Sequence, residues 1–299
     1  MKHLVTSGCS FTISDGNGPK PHGIGVLNRS WAYALYDFLK EDNKDLNFHN
    51  VGMSGAGNYI ISMTCIDTVE CLLNDGVKPE DIYAIVQWSG LFRPALHSRT
   101  GNFKEYVVPF DEELNTTHTN LKNINDHEGC FIHASGKLNT HFWKQYLYFY
   151  DPPSAFIDTL DMILRTQWYL SSKGIKYKMF TGWDIFTASD KAAGQHSTDI
   201  MMNASQFSHD VYCSIDNVLL KDVYHSSSHL WDKIDFNNFL FFDNDNVKCG
   251  GMLQWIQHNV KKENWYVKFD RQNRDCHPPS ETAREFAKNA ILPIVQSEL

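Results

Sequence analysis

His3-Leu4-Val5-Thr6-Ser7-Gly8-Cys9-Ser10-Phe11-Thr12 holds the pattern on which the fold reading turns. A short run that opens apolar, His3 to Ser7, meets a glycine, and a serine follows two residues later. The run reads as a strand, and Gly8 allows a tight exit that presents the Ser10 hydroxyl and nearby backbone N–H groups. The same grammar recurs downstream. Asn47 to Val51 is a second short strand that enters the glycine-rich stretch Gly52-Met53-Ser54-Gly55-Ala56-Gly57. Ile82-Tyr83-Ala84-Ile85-Val86 is continuously apolar, as a parallel strand covered on both faces must be. Ile175 to Phe180 is a further strand, placed directly after Gly174.

Helical periodicity fills the intervals. Trp31, Leu35, Phe38 and Leu39 share a face behind Ser30 as N-cap, and Ile61, Cys65, Val69, Leu72 and Leu73 share one behind Asn58 as N-cap. Ile157, Leu160, Leu164 and Trp168 form a third face, closed by Gly174. Ala283, Phe286, Ala287, Ala290, Ile291, Ile294 and Val295 form a last stripe that Pro293 must end or kink, with Ser280 or Thr282 as cap and Glu285 completing a capping box. Strands alternating with helices predict a three-layer α/β/α sandwich around a mostly parallel sheet, one domain over residues 1–299. Residues 91–150 and 184–230 break the rhythm and are read as insertions on that core.

Bulk composition narrows the function classes. A net charge of −8 leaves no basic footprint for nucleic acid. No apolar run reaches the roughly 18 residues of a membrane span, and Leu4-Val5 is too short for a signal-peptide core. The 7 cysteines are odd in number and lack a CxxC pair, which points to reduced thiols in a cytoplasmic setting. His225 and His229 are spaced for one helical face, but the three serines between them make a poor helix and no third ligand is evident. No metal is expected.

Three segments carry the candidate chemistry. Ser10 lies beyond a strand's carboxyl end, where open α/β sheets bind ligands. Asp275-Cys276-His277-Pro278-Pro279 precedes the terminal helix; Asp275 could orient one imidazole nitrogen of His277 and leave the other to take a serine proton. Asn50 to Asn58 could supply backbone N–H groups to an oxyanion. A nucleotide-binding version of that loop is poor, because the P-loop lysine is missing. Cys9 and Cys276 raise a thiol nucleophile as an alternative, though their neighbours in an extended chain would point the other way.

In this order, GCSFT, NVGMSGAGN and DCHPP resemble the sequence blocks of SGNH (GDSL-like) hydrolases. They frame the chain from residue 3 to about 295. The GCSF start resembles a branch met among bacteriophage and bacterial proteins. The resemblance implies the flavodoxin-like SGNH fold and a serine esterase with Ser10 as nucleophile, His277 as base and Asp275 as its partner. It implies an oxyanion hole from the Ser10 and Gly55 N–H groups, and no cofactor. The family's third block, Gly-x-Asn-Asp, is not matched: Val86-Gln87-Trp88-Ser89-Gly90-Leu91-Phe92-Arg93 has no asparagine. Asn58 is the first candidate to replace that donor, ahead of Ser89 and Gln87, while Arg93 and Trp88 are candidates for contacting substrate. The expected substrate is a small-molecule or polysaccharide ester, an O-acetylated carbohydrate by preference. The aromatic run Phe142 to Tyr150 in the first insertion would suit a sugar surface. Acyl transfer, and a weakly active or inactive binding role in an oligomer or virion, remain the alternatives.

Overall fold

A computed structural model of the chain describes residues 2–13, 30–53, 56–91, 95–98, 130–133, 152–188, 218–219, 228–242, 250–265 and 277–298. In chain order the elements are β1 (His3–Ser7), α1 (Trp31–Asp42), β2 (Asn47–Asn50), α2 (Asn58–Asn74), β3 (Ile82–Trp88), β4 (Ala95–Ser98) and β5 (Cys130–His133). Then come α3 (Pro152–Ser172), β6 (Lys176–Thr181), β7 (Thr187–Ala188), β8 (Val218–Leu219), α4 (Ser228–Trp231), α5 (Met252–Asn259), α6 (Ser280–Phe286) and α7 (Leu292–Gln296).

The main sheet has 4 strands in the order β2-β1-β3-β6, and every pairing is parallel. Residues 238–240 lie along its open side: Asn238 O accepts from Met179 N, and Leu240 N donates to Met179 O. β4 with β5, and β7 with β8, form small antiparallel pairs. Each main strand requires a crossover helix, and right-handed crossovers distribute those helices over both faces. On one face Phe180 of β6 meets Trp31 of α1 and Phe286 of α6, with Trp255 of α5 against Phe286. On the other, α2 packs on β1, β3 and α3, and Phe186 lies between Phe156 of α3 and Trp231 of α4. All of β3 is buried, which is why its sequence shows no alternation. The parallel α/β sandwich expected from the sequence is the one observed.

Local readings fail in informative places. Trp168 is 56% exposed. The buried stripe of α3 runs through Phe156, Leu160, Ile163, Gln167 and Leu170, and Trp168 stands about 100° around the helix from Gln167. Of the two outcomes expected at Pro293, an end or a kink, the helix does not end there but is locally distorted. A π-helical stretch, Ala287–Ile291, precedes α7, and this wider turn accommodates a ring that would collide with the carbonyl of Asn289. Gly174 does close α3, with φ +71°.

Candidate active site

After β1 the chain folds into one helical turn: the Thr12 and Ile13 N–H groups both donate to the Cys9 carbonyl, at 2.8 and 3.2 Å. That ladder begins at Thr12, so the Ser10 and Phe11 N–H groups stand outside it. Ser10 is buried at the start of the turn. The glycine-rich segment docks on the same turn. Val51 N–H donates to Thr6 O at 2.8 Å, and Met53 N–H to Gly8 O at 3.0 Å. A β-carbon on Gly52 would lie 2.9 Å from the Ile13 nitrogen, so that approach requires glycine. The Thr12 carbonyl accepts from the Ser30 hydroxyl at 2.5 Å and from Asn50 Nδ2 at 3.0 Å. Ser30 therefore reaches across to this turn instead of closing its own helix, where no side-chain cap bond forms.

The first candidate to replace the third-block donor, Asn58, behaves differently from expectation. The N-cap of α2 is Gly57, and Asn58 is the first helical residue. Asn58 Oδ1 accepts from Ser89 N–H at 2.8 Å, and Nδ2 donates to Ser89 O at 3.3 Å and Thr159 Oγ1 at 3.1 Å. Both amide hydrogens are thus engaged, and none is left for an oxyanion. Asn58 clamps α2 to the end of β3 and to α3. Replacing it with alanine should orphan the buried Ser89 N–H and lower stability by about 1–3 kcal/mol, more than loss of an ordinary cap. Urea unfolding of Asn58→Ala checks this, and a shift of a few tenths would contradict the clamp.

Gln87 offers the site its acceptor end. Its Oε1 takes the Cys9 N–H at 3.3 Å, the Cys9 thiol at 3.3 Å and the Thr12 hydroxyl at 3.0 Å, while Nε2 donates to Trp88 O at 2.5 Å. Ser89 is fully buried, and its hydroxyl has no hydrogen-bond partner among the described residues. Of the three candidates to replace the third-block asparagine, Asn58, ranked first from the sequence, has both amide hydrogens engaged, whereas the Ser89 hydroxyl and one hydrogen of Gln87 Nε2 make no hydrogen bond among the described residues. The Trp88 side chain is fully buried in the core, which removes it as a substrate contact. Arg93 and Gly55 lie outside the described residues.

The C-terminal block arrives from the opposite end of the chain. The His277 ring stands edge-on to Phe11, with centroids 5.1 Å apart and an interplanar angle of 70°. Phe11 makes a second edge contact, 5.5 Å, with Trp183 from the exit of β6. Asp275 lies outside the described residues, as does Cys276. Pro279 is the N-cap of α6, and Thr282 donates to Asn264 O at 2.7 Å, so neither Ser280 nor Thr282 acts as the expected cap. Cys9 is fully buried with its thiol turned to Gln87, an inert setting for a nucleophile. The roles of Gln87 and Trp183 escaped the sequence reading. Gly182, just after β6, was the available signal, because a β-carbon there would lie 2.7 Å from Gln87 Nε2.

No group of side chains among the described residues could hold a metal ion, and no described helix is long and apolar enough to cross a membrane. No family model matches the chain. No curated protein matches it. Among solved structures it is similar to a crystal structure from Parabacteroides merdae that carries the name GDSL-like lipase. Identity is 13%, coverage is 96% of this chain and 92% of that one, and the TM-score is 0.37. A likeness of that size assigns no residue a role.

Proposed function

We propose that the protein is a serine ester hydrolase of the SGNH type. The observation that carries the reading is the contact of His277 with Phe11, the residue after Ser10. It brings an imidazole from the last block to the turn that holds the serine, beyond the carboxyl end of a parallel strand. In the proposed cycle, Ser10 Oγ attacks the ester carbonyl and its proton passes to His277, which returns it to the departing alkoxide. Water then gives a proton to His277 and attacks the acyl group on Ser10, and His277 returns that proton to Ser10 Oγ as the acid is released. Asp275 orients the imidazole, and the Ser10 and Gly55 N–H groups bind the oxyanion. The cycle uses no metal or organic cofactor. An O-acetyl group on a carbohydrate is the proposed substrate, with the aromatic-rich segment of residues 91–150 as the sugar-facing part.

Fluorophosphonate labelling tests the reading directly. A single adduct on Ser10, absent from Ser10→Ala and slowed in His277→Ala, is the expected result; an unlabelled Ser10 overturns it. The engaged amide of Asn58 favours a second reading, an SGNH-like domain that binds its ligand with little turnover, as a component of a virion or surface assembly would. Slow labelling with no turnover would select it. Acyl transfer shares the acyl-enzyme, and it would show as product formation only with an alcohol acceptor present.

Ser89 supplies an independent check. If its hydroxyl serves the oxyanion, Ser89→Ala should lower kcat by about 10²–10³ with little change in KM. Stability should hold or rise slightly, because a buried hydroxyl without a partner is removed. An unchanged kcat would leave the oxyanion to backbone N–H groups.

A further inference from the structure

Gln87 is fully buried at the carboxyl end of β3, and its amide fills a slot shaped by two glycines. A β-carbon on Gly8 would lie 2.9 Å from Gln87 Oε1, and one on Gly182 would lie 2.7 Å from Nε2. The orientation of the amide follows from its neighbours. Oε1 faces three donors, and Nε2 faces the Trp88 carbonyl. Reversing it would set an NH2 group against donors and an oxygen against a carbonyl. All three donors belong to Cys9 and Thr12, the residues that bracket Ser10 and Phe11 in the turn.

We propose that Gln87 is a positioning residue for Ser10, resting on the reading of Ser10 as nucleophile: its side-chain oxygen locks both ends of the Cys9–Thr12 turn, and so aims the Ser10 hydroxyl and N–H at the reacting carbonyl. The lock has a physical basis in the cost of orphaning buried donors. Without Oε1, the Cys9 N–H and the Thr12 hydroxyl lose their partner, and the turn must shift to recover one. A shift of about 1 Å in a catalytic group is enough to lower a rate about a hundredfold. Binding of the substrate's remote parts has no such dependence on the turn. The signature is therefore a fall in kcat at nearly constant KM.

The experiment compares wild type, Gln87→Met, Thr12→Val and the double variant. Each is checked for folding by circular dichroism, then assayed with p-nitrophenyl acetate and with a fluorophosphonate. Methionine keeps the length of the side chain and removes its acceptor; valine removes one donor and keeps the shape. The expected result for Gln87→Met is a fall in kcat of about ten- to a hundredfold, with KM within about twofold and labelling of Ser10 slowed in step. Thr12→Val should show a smaller fall of the same kind. The double variant should be no slower than Gln87→Met alone, because the two residues act through one contact. Wild-type kcat and labelling in folded Gln87→Met would overturn the proposal while leaving the nucleophile in place. So would an effect confined to KM or to thermal stability. If Gln87→Met does not fold, Thr12→Val decides, and wild-type kcat and labelling there overturn the proposal. Failure of wild type to label at Ser10 overturns the esterase reading and this inference with it.

Discussion

Ser10→Ala is expected to lower kcat/KM for an activated acetyl ester by roughly 10⁴–10⁶-fold, and His277→Ala by a comparable factor. The double variant should be scarcely worse than either. The reason lies in the proposed chemistry. The hydroxyl is a poor nucleophile until the imidazole takes its proton, and the imidazole has nothing to activate once the hydroxyl is gone. Each deletion removes the same reaction path, and the residual rate belongs to the oxyanion donors and to binding. Steady-state kinetics on the three variants, with unfolding midpoints as a control, make the measurement. Ester hydrolysis at the wild-type rate in Ser10→Ala would sink the assignment. Activity kept in Ser10→Ala and lost in Cys9→Ala would move the nucleophile to the thiol, against the complete burial of Cys9.

The parallel core was legible because its rule is local: strands covered on both faces are apolar throughout, and β3, buried at every position, was the clearest. Polar side chains near helix starts were legible only as to type. Ser30, Asn58 and Thr282 all read as caps, yet they bond to Thr12 O, to Ser89 with Thr159, and to Asn264 O. A cap is the partner that sequence neighbours can supply; these partners come from distant segments that only folding brings together. Trp168 failed for a related reason. Periodicity set the helix face within a residue or so, and one residue turns a side chain by about 100°. The candidate site shows the same division. Ser10 and His277 belong to short blocks with a recognisable order, and the structure brings His277 against the neighbour of Ser10. Gln87 lies in the segment that departs from the family's third block, where the sequence offered it only as a donor. Its task depends on which way its amide turns, and that is set by donors on another strand's exit.

Gly8→Ala should damage stability and turnover together, for a reason other than backbone freedom. Gly8 is absent from the described glycines with positive φ, so the tight exit needs no left-handed residue. The need is for space. A β-carbon at Gly8 would lie 2.0 Å from Thr12 Oγ1, 2.8 Å from Thr12 Cβ and 2.9 Å from Gln87 Oε1. The glycine has little room to retreat, because its carbonyl accepts the Met53 N–H that docks the glycine-rich segment. Thr12 can rotate away only by giving up its 3.0 Å bond to Gln87. Overpacking of this kind costs about 1–3 kcal/mol, and a displaced turn should lower kcat by about a hundredfold. Urea unfolding and ester kinetics on Gly8→Ala read the two effects separately. A second substitution makes the test sharper. Thr12→Ala removes the hydroxyl responsible for the nearest clash and leaves the milder approaches to the β-carbon of residue 12 and to Gln87 Oε1, so Gly8→Ala/Thr12→Ala should be more stable than Gly8→Ala alone. Gly8→Ala with wild-type stability and kcat would mean that the strand exit and the serine turn do not pack this closely, and the support proposed for Ser10 would fall with them.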